Sequence, residues 1–472
     1  MIVPIMDIEI PNAYKNQDNM KSITLFSNKK DHKQAARDII EQTVALDFKP
    51  DLALFYATLK YNGKYQSMLD IFHEEFGDVP QIGASVDGMI FPDDLRMDGA
   101  ALVLCEDKEA RIRVDGIKGK GAIESAEKLA KRIKCEKGAV VLHYPLVHVP
   151  GALKAAEFYA KGFYYSKLCK GAKKQKEYAG KFADYCNKEN IFYLPPTVLD
   201  IFAKQTGYKI PIISINVMHT QVRFDTPNIF CNFEDIGGGI AALTIEKDNV
   251  NAVYDDIFPN KGNTLEETKD IVRKKFTILK EYKGSFEKNV LISLDGQPPM
   301  NSAKNLTAVT TKKEEDLLSQ MNKGNLQVQT PYMLIFFTKK PNGMVLVGAG
   351  SYYPFDIYPF FINVSDYSDD VFLGYEFIDF ESNDFISSLR NLRHKNDFKF
   401  FCIDVGTISA FGERIFSYKD EVKKLAKENY FGIITVAPSA YLPKEIKKRD
   451  YISEAESDIF FTSAGTNTCL EI

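Results

Sequence analysis

Residues 50–90 read PDLALFYATLKYNGKYQSMLDIFHEEFGDVPQIGASVDGMI, and the order of signals within them decides the fold class. The apolar run DLALFY at 51–56, bounded by Pro50, predicts a buried strand. Residues 65–76 place Leu69, Phe72 and Phe76 on one helical face and stop at Gly77, as a helix with a glycine at its end would. A second strand follows Pro80 and runs into the segment Gly83-Ala-Ser-Val-Asp-Gly88-Met-Ile90. GAALVLC at 99–105 supplies a third, with the small and branched residues a sheet interior accepts. Strand, helix, strand, glycine-bearing turn and strand make an α/β unit.

The pattern recurs on both sides. Upstream, Asp31 can cap a helix over 33–47 whose Ala36, Ile39, Ile40 and Val44 share a face. Downstream a helix at 122–134 and strands at 139–144, 211–217 and 240–245 suggest a second copy of the unit. Near the C-terminus a strand (398–405), a helix (419–428) and a strand (430–436) repeat the order. From first strand to the glycine of the second, the end units span 83 − 52 = 31 and 432 − 399 = 33 residues. That spacing suggests duplication, although ordinary βαβ elements also produce it. A helical, Lys/Tyr-rich insertion falls at about 153–208 and a polar stretch at 297–329. The expected architecture is therefore α/β, with repeated β-α-β-β units forming helix-covered mixed sheets in two domains, 20–248 and 249–450, followed by a mobile tail at 451–472.

Composition narrows the function classes. The 472 residues are 45% hydrophobic and 26% charged, enough apolar material for a large core without metal or disulfide support. Sixty Lys+Arg against 64 Asp+Glu give a net charge of −4, which does not favour nucleic acid as a partner. Seven cysteines with no C-x-x-C point to reduced thiols rather than a disulfide framework or zinc site, and hence to a cytoplasmic setting. Asp7 and Glu9 interrupt the apolar start, so no secretory signal is expected. The longest run without Asp, Glu, Lys or Arg, 138–153, has 16 residues and contains Pro145 and Pro150, short of a membrane helix.

Nucleotide signatures are missing: there is no G-x-x-x-x-G-K-[ST], and Gly119-x-Gly121 lacks its third glycine. Neither a cofactor nor a metal is expected. His143 and His148 are spaced weakly for a metal, and Ser85, Asp87 and either His143 or His219 make a triad only on paper, because Ser85 lacks the G-x-S-x-G elbow. Lysines 161–181 interleaved with tyrosines suit a solvated helix face, and the aromatic tract 352–362 suits core strand and turn. What remains is geometry, since ligands of α/β sheets bind beyond the carboxyl ends of strands. Gly83 and Gly88 would admit a ligand close to the backbone, Ser85 and Asp87 would bond it, and His143, Asn216, His219 and Thr435 hold comparable strand-end positions. No residue is assigned a catalytic role.

Taken in order, Ile23-Thr-Leu-Phe-Ser27, Ala35-Ala36, Pro50 to Tyr56, Val79 to Ile90 and Ala101 to Leu104 resemble the N-terminal domain of FIST sensory proteins. Asp295-Gly-Gln-Pro-Pro299 and the segment 398–439 are similar to parts of that family's C-terminal domain. The similarity runs from about residue 20 to about 445, with Ala84 where the family commonly has Cys. It implies a FIST N-like domain over 20–248 and a FIST C-like domain over 249–450. The implied function is that of a cytoplasmic sensor that binds a small polar metabolite, such as an amino acid, and signals through a partner protein. The alternatives are a hydrolase or transferase using strand-end Ser, His and Asp residues, and a protein-interaction scaffold.

Overall fold

The computed structural model describes residues 20–91, 95–119, 122–147, 149, 151–168, 172–189, 191, 193, 195–218, 227–256, 263–287, 290–297, 332–339, 345–351, 366–378, 398–404, 430–436, 438–443 and 466–471. They form an α/β fold with four mixed or antiparallel sheets, as the strand and helix periodicities anticipate. Outside the described residues fall His148, His219, the aromatic tract 352–362, most of the polar stretch 297–329 and the expected helix 419–428.

Three of the sheets follow one plan. The first contains β1 (Lys21–Ser27), β6 (Ala100–Glu106), β2 (Leu52–Ala57), β3 (Gln81–Ser85), β10 (Ile229–Cys231) and β11 (Glu234–Asp235), in that order. The second runs β7 (Arg111–Ile117), β12 (Ile240–Glu246), β8 (Ala139–Pro145), β9 (Ile212–Val217) and β21 (Ser439–Tyr441). The third runs β13 (Asn251–Asp256), β22 (Thr466–Glu471), β19 (Lys399–Asp404), β20 (Tyr430–Thr435), β4 (Gly88–Ile90) and β5 (Leu95–Arg96). Each has a central parallel pair, β2/β3, β8/β9 or β19/β20, flanked by an antiparallel strand from the same third of the chain. On the other flank each pair accepts a short antiparallel strand from a different third. The first third lends β4 to β20, the second lends β10 to β3 and the third lends β21 to β9, which closes a cycle.

The unit suggested by the two chain ends thus occurs three times, over residues 21–106, 111–246 and 251–471. The middle copy, read in the sequence from its helix at 122–134 and strands at 139–144, 211–217 and 240–245, is stretched: 214 − 139 = 75 residues separate the positions that are 31 apart in the first. Helices α4 (Gly151–Leu168), α5 (Ala172–Lys188) and α6 (Pro195–Gln205) fill that gap. In the third copy α7 (Leu265–Lys275) and a fourth sheet are inserted between β13 and β19. That sheet orders β15 (Val290–Leu294), β14 (Phe276–Glu287), β18 (Asp366–Phe377), β16 (Tyr332–Lys339) and β17 (Val345–Ser351).

Burial explains why the strands read as unbroken apolar runs. The inner faces of the three sheets share one core, with Leu54, Tyr56, Ala84, Val141, Ile215, Phe400, Ile433 and Phe431 among its members. On its outer face the first sheet packs with α1 (His32–Glu41) and α2 (Tyr65–Phe76), the second with α3 (Ala122–Ala130) and α6. Strands covered on both sides cannot alternate with polar residues. The helix expected at 33–47 ends at Glu41 and continues as a 3-10 turn, Gln42–Ala45. There Gln42 donates to the Phe26 and Asp38 carbonyls and Thr43 to that of Ile40, so side chains satisfy groups that another helical turn would have used.

Residues 466–471 lie in the segment expected to be a mobile tail, and they form an interior strand. β22 is hydrogen-bonded to β13 on one side and β19 on the other, with Asn467, Thr468, Cys469 and Leu470 buried. The small polar composition of the tail hid the alternation of a central strand. The 248/249 boundary falls between β12 and β13, and the β4/β20 and β21/β9 pairings cross it. Among the described helices none is long and apolar enough to cross a membrane.

Candidate functional site at the converging strand ends

The carboxyl ends of the three parallel pairs meet. The Asp87 N–H donates to the Ile434 carbonyl (3.0 Å), joining the end of β3 to that of β20. Thr435 Oγ1 donates to the Asn216 carbonyl (2.8 Å), joining β20 to β9. The segment after β9 returns to β3, where the Ser85 N–H donates to the Asn228 carbonyl (2.8 Å) and the Asn228 N–H to Ser85 Oγ (3.0 Å). These hydrogen bonds, with the covalent run from Asn216 to Asn228, make a ring around three ends that lie well over a hundred residues apart in sequence.

Alternation along the strands separates the expected side chains within that end. Ala84, Ile215 and Ile433 face the shared core, so Ser85 and Asn216, one residue on, lie toward the opposite, helix-covered faces, while Thr435 lies inward. Asn216 Oδ1 accepts from Ser214 Oγ (3.4 Å), which in turn bonds Tyr144 (3.1 Å) and Ser439 across the seam. Asp87 is buried beside Gly88 at the crossing into the third sheet.

The two glycines have a different use from the one expected. A Cβ on Gly83 would lie 1.6 Å from the Phe55 carbonyl oxygen, and one on Gly88 2.5 Å from Met97 Sδ and 2.9 Å from the Arg96 carbonyl. Protein already fills the space beside both, so they serve strand packing.

His143 sits below the ring, 1% exposed, with Nε2 2.8 Å from the Tyr56 hydroxyl and the two rings stacked. Phe400 and Phe431 also stack on Tyr56. Burial holds the imidazole neutral, lowering its pKa to about 3, and drives the Tyr56 phenol well above its ordinary value. His143 Nδ1 is buried without a hydrogen-bond partner among the described residues. The paper triad is not supported: Ser85 Oγ is taken by Asn228 and His143 Nε2 by Tyr56. Nor do the described residues include three His, Cys, Asp or Glu placed to hold a metal.

Sequence reasoning overlooked Tyr56, Asp404 and Asn467. Asp404 pairs with Thr435 in register, is fully buried and donates its N–H to Asn467 Oδ1 (3.3 Å). An aspartate ending the apolar run FKFFCID was a readable signal; Asn467 was not, because its strand was unrecognised.

Comparison with known proteins adds family information for one part of the chain. Residues 266–379 match the model of the AF0772-like protein C-terminal domain. That span coincides with α7 and the fourth sheet, the insertion within the third copy. The chain is 25% identical over 248 residues to an uncharacterized protein of Archaeoglobus fulgidus, a match covering 52% of this chain and 66% of that protein, just under two thirds of its length.

Proposed function

We propose that this is a small-ligand-binding sensory protein of the FIST type, acting in the cytoplasm on a polar metabolite such as an amino acid and signalling through a partner protein. The observation that carries the reading is the ring at the strand ends. A ligand held there would touch elements of all three copies at once. Its affinity would then depend on how the copies pack, and a ligand shifts such packing only by binding one arrangement more tightly than another. Asp87, Thr435 and Asp404 supply acceptors and a hydroxyl suited to ammonium or hydroxyl groups, and Ser85, bonded to Asn228, fixes the loop beside them. The commitment of Ser85 and His143 to other partners weighs against the hydrolase alternative.

A thermal-shift screen of the intact chain against amino acids, their analogues, organic acids and nucleotides tests the proposal. A ligand at about 100 times its dissociation constant adds roughly 2.7 kcal/mol and raises the midpoint by a few degrees. A shift confined to one class of polar metabolite is expected. Conversion of the ligand to product would replace the sensor reading with an enzymatic one.

A further inference from the structure

Strand register equates one inward position in each of the three copies. Tyr56 pairs with Ala84 and Ala101, His143 with Ile215 and Ala241, and Cys402 with Ile433 and Thr468. Tyr56 and Cys402 belong to the shared core, and His143 meets Tyr56 there. Residues opposite each other in a sheet point to the same side, so Thr468 faces inward with Cys402, and Asp404, two residues on, does as well. Beyond the effect of burial, the Cys402 thiol adds to the rise of the Tyr56 phenol and Asp404 to that of the thiol, so these groups lie close together. A line of polar groups thus crosses an apolar core, from His143 to Asp404, which pairs with Thr435 of the ring. Two atoms of this set are left over by the protein's own bonding. His143 Nδ1 and Thr468 Oγ1, in residues 1% and 0% exposed, are buried without a hydrogen-bond partner among the described residues. Tyr56 fixes what the histidine offers. Its hydroxyl bonds only His143 Nε2 among the described residues; donating to Nε2 leaves Nδ1 unpaired, whereas accepting from it would leave the phenol proton unpaired too. Nδ1 therefore carries the imidazole proton and is a buried donor awaiting an acceptor.

We propose that His143 Nδ1–H and the Thr468 hydroxyl form the floor of the site at the strand ends and bind an uncharged head group of its ligand, one that gives an acceptor oxygen to the imidazole, as a carboxamide does. This rests on the reading of that site as one that binds a metabolite, and it narrows the ligand class. The surroundings select against charge. A carboxylate on the floor would face the Asp404 carboxyl and a neutral imidazole, with no cationic side chain in this line of residues to pair with it. An ammonium would meet the Nδ1–H donor where it needs an acceptor. A carboxamide places its oxygen on Nδ1–H and donates its own N–H to Thr468 Oγ1, so both leftover atoms are satisfied by one group. Because Tyr56, His143 and Thr468 come from three different copies, such a group is held only when all three pack together.

Nuclear magnetic resonance of the intact protein, with isotope-labelled nitrogen in its histidine rings, tests this with acetamide and acetate as a neutral and an anionic probe of the same shape. The His143 signals are assigned by their loss in His143→Phe. Without probe, the ring is expected to carry its proton on Nδ1. Acetamide at up to about 100 mM, the range open to so small a molecule, should shift the Nδ1–H signal and saturate, and acetate should not. Thr468→Val removes a hydroxyl that has no partner among the described residues, so the melting temperature should hold while the acetamide dissociation constant rises at least tenfold. Thr468→Ser, which keeps a hydroxyl, should bind as the wild type does. A proton on Nε2, no response to acetamide, an equal response to acetate, or wild-type binding by Thr468→Val would overturn the proposal. The sensor reading fails separately. A metabolite from the thermal-shift screen that binds and leaves the His143 signals unmoved would keep that reading and remove this floor, whereas a screen without hits would remove the reading and leave the acetamide result standing.

Discussion

Tyr56 and His143, 87 residues apart in sequence, meet at 2.8 Å in the core shared by the three sheets. They occupy corresponding places in the first and second copies of the repeated unit: Tyr56 pairs with Ala101 and His143 with Ala241, two residues past Gly99 and Gly239. Replacing Tyr56 with Phe would leave both imidazole nitrogens buried and unbonded. A loss of about 1–3 kcal/mol is expected, read as a lower urea midpoint at unchanged slope. An unchanged midpoint would mean that this bond contributes nothing to the fold.

The same histidine sets an acid limit. Its pKa is about 3 in the fold, against 6.5 for a free imidazole. As pH falls below 6.5 the unfolded chain takes up a proton that the folded one refuses, so stability is lost progressively toward pH 3. His143→Phe should remove that component of the acid loss, and denaturant titrations at pH 7 and 4.5 would show it.

Asp51 works in the opposite direction. Burial foremost, with Asp107 and Glu106 nearby, raises its carboxyl from 3.8 to about 6, against the hydrogen bond its Oδ2 accepts from the Asp107 N–H. Between those values the folded state holds a proton that the unfolded state lacks, so this group adds stability as pH falls from about 6 toward 4. Asp51→Asn keeps the acceptor and removes the charge. The variant should be more stable than wild type at pH 7, and the advantage should vanish by pH 4; a constant difference would refute the assignment.

Gly83→Ala should be among the most damaging single-methyl additions available. The new carbon would overlap the Phe55 carbonyl at 1.6 Å, and only separation of the β2/β3 pair can relieve it. About 3 kcal/mol or more is expected. Gly63, at φ +73° with open space around it, should lose only about 1 kcal/mol when changed to Ala. Thermal melts of the two variants side by side would check the contrast.

Removing residues 466–472 should abolish cooperative folding of the third sheet, because β22 is bonded on both edges. A truncated chain with wild-type melting behaviour would contradict its place there.

Much of the fold was legible because strands covered on both faces leave long apolar signatures. Residues 51–56, 139–144 and 430–436 were readable for that reason, and so was α2, whose apolar face and closing Gly77 fix both its ends. The recurrence of the unit at three places was legible too, but the exchange of strands between the copies was not, since it is made by strands of three residues, β4, β10 and β21, too short to carry any period. The end of the chain was misread for a related reason: TNTCLE has the composition of a loop, and only its two neighbours make it a strand. The strand-end rule anticipated that Ser85, Asp87, Asn216 and Thr435 come together at one end of the sheets, while the face each side chain takes depends on register. Alternation placed Ser85 and Asn216 on one side and Thr435 on the other, and packing used the space beside Gly83 and Gly88.

A polar metabolite is proposed to bind where the three strand pairs end. The most direct test of this is calorimetric titration, with the best ligand from the thermal-shift screen, of wild type and of the Ser85→Ala, Asp87→Ala double variant, the latter first shown to be folded by circular dichroism. At least a tenfold loss of affinity is expected in the variant, about 1.4 kcal/mol or more. Undiminished affinity would take the β3–β4 segment out of the site and contradict it.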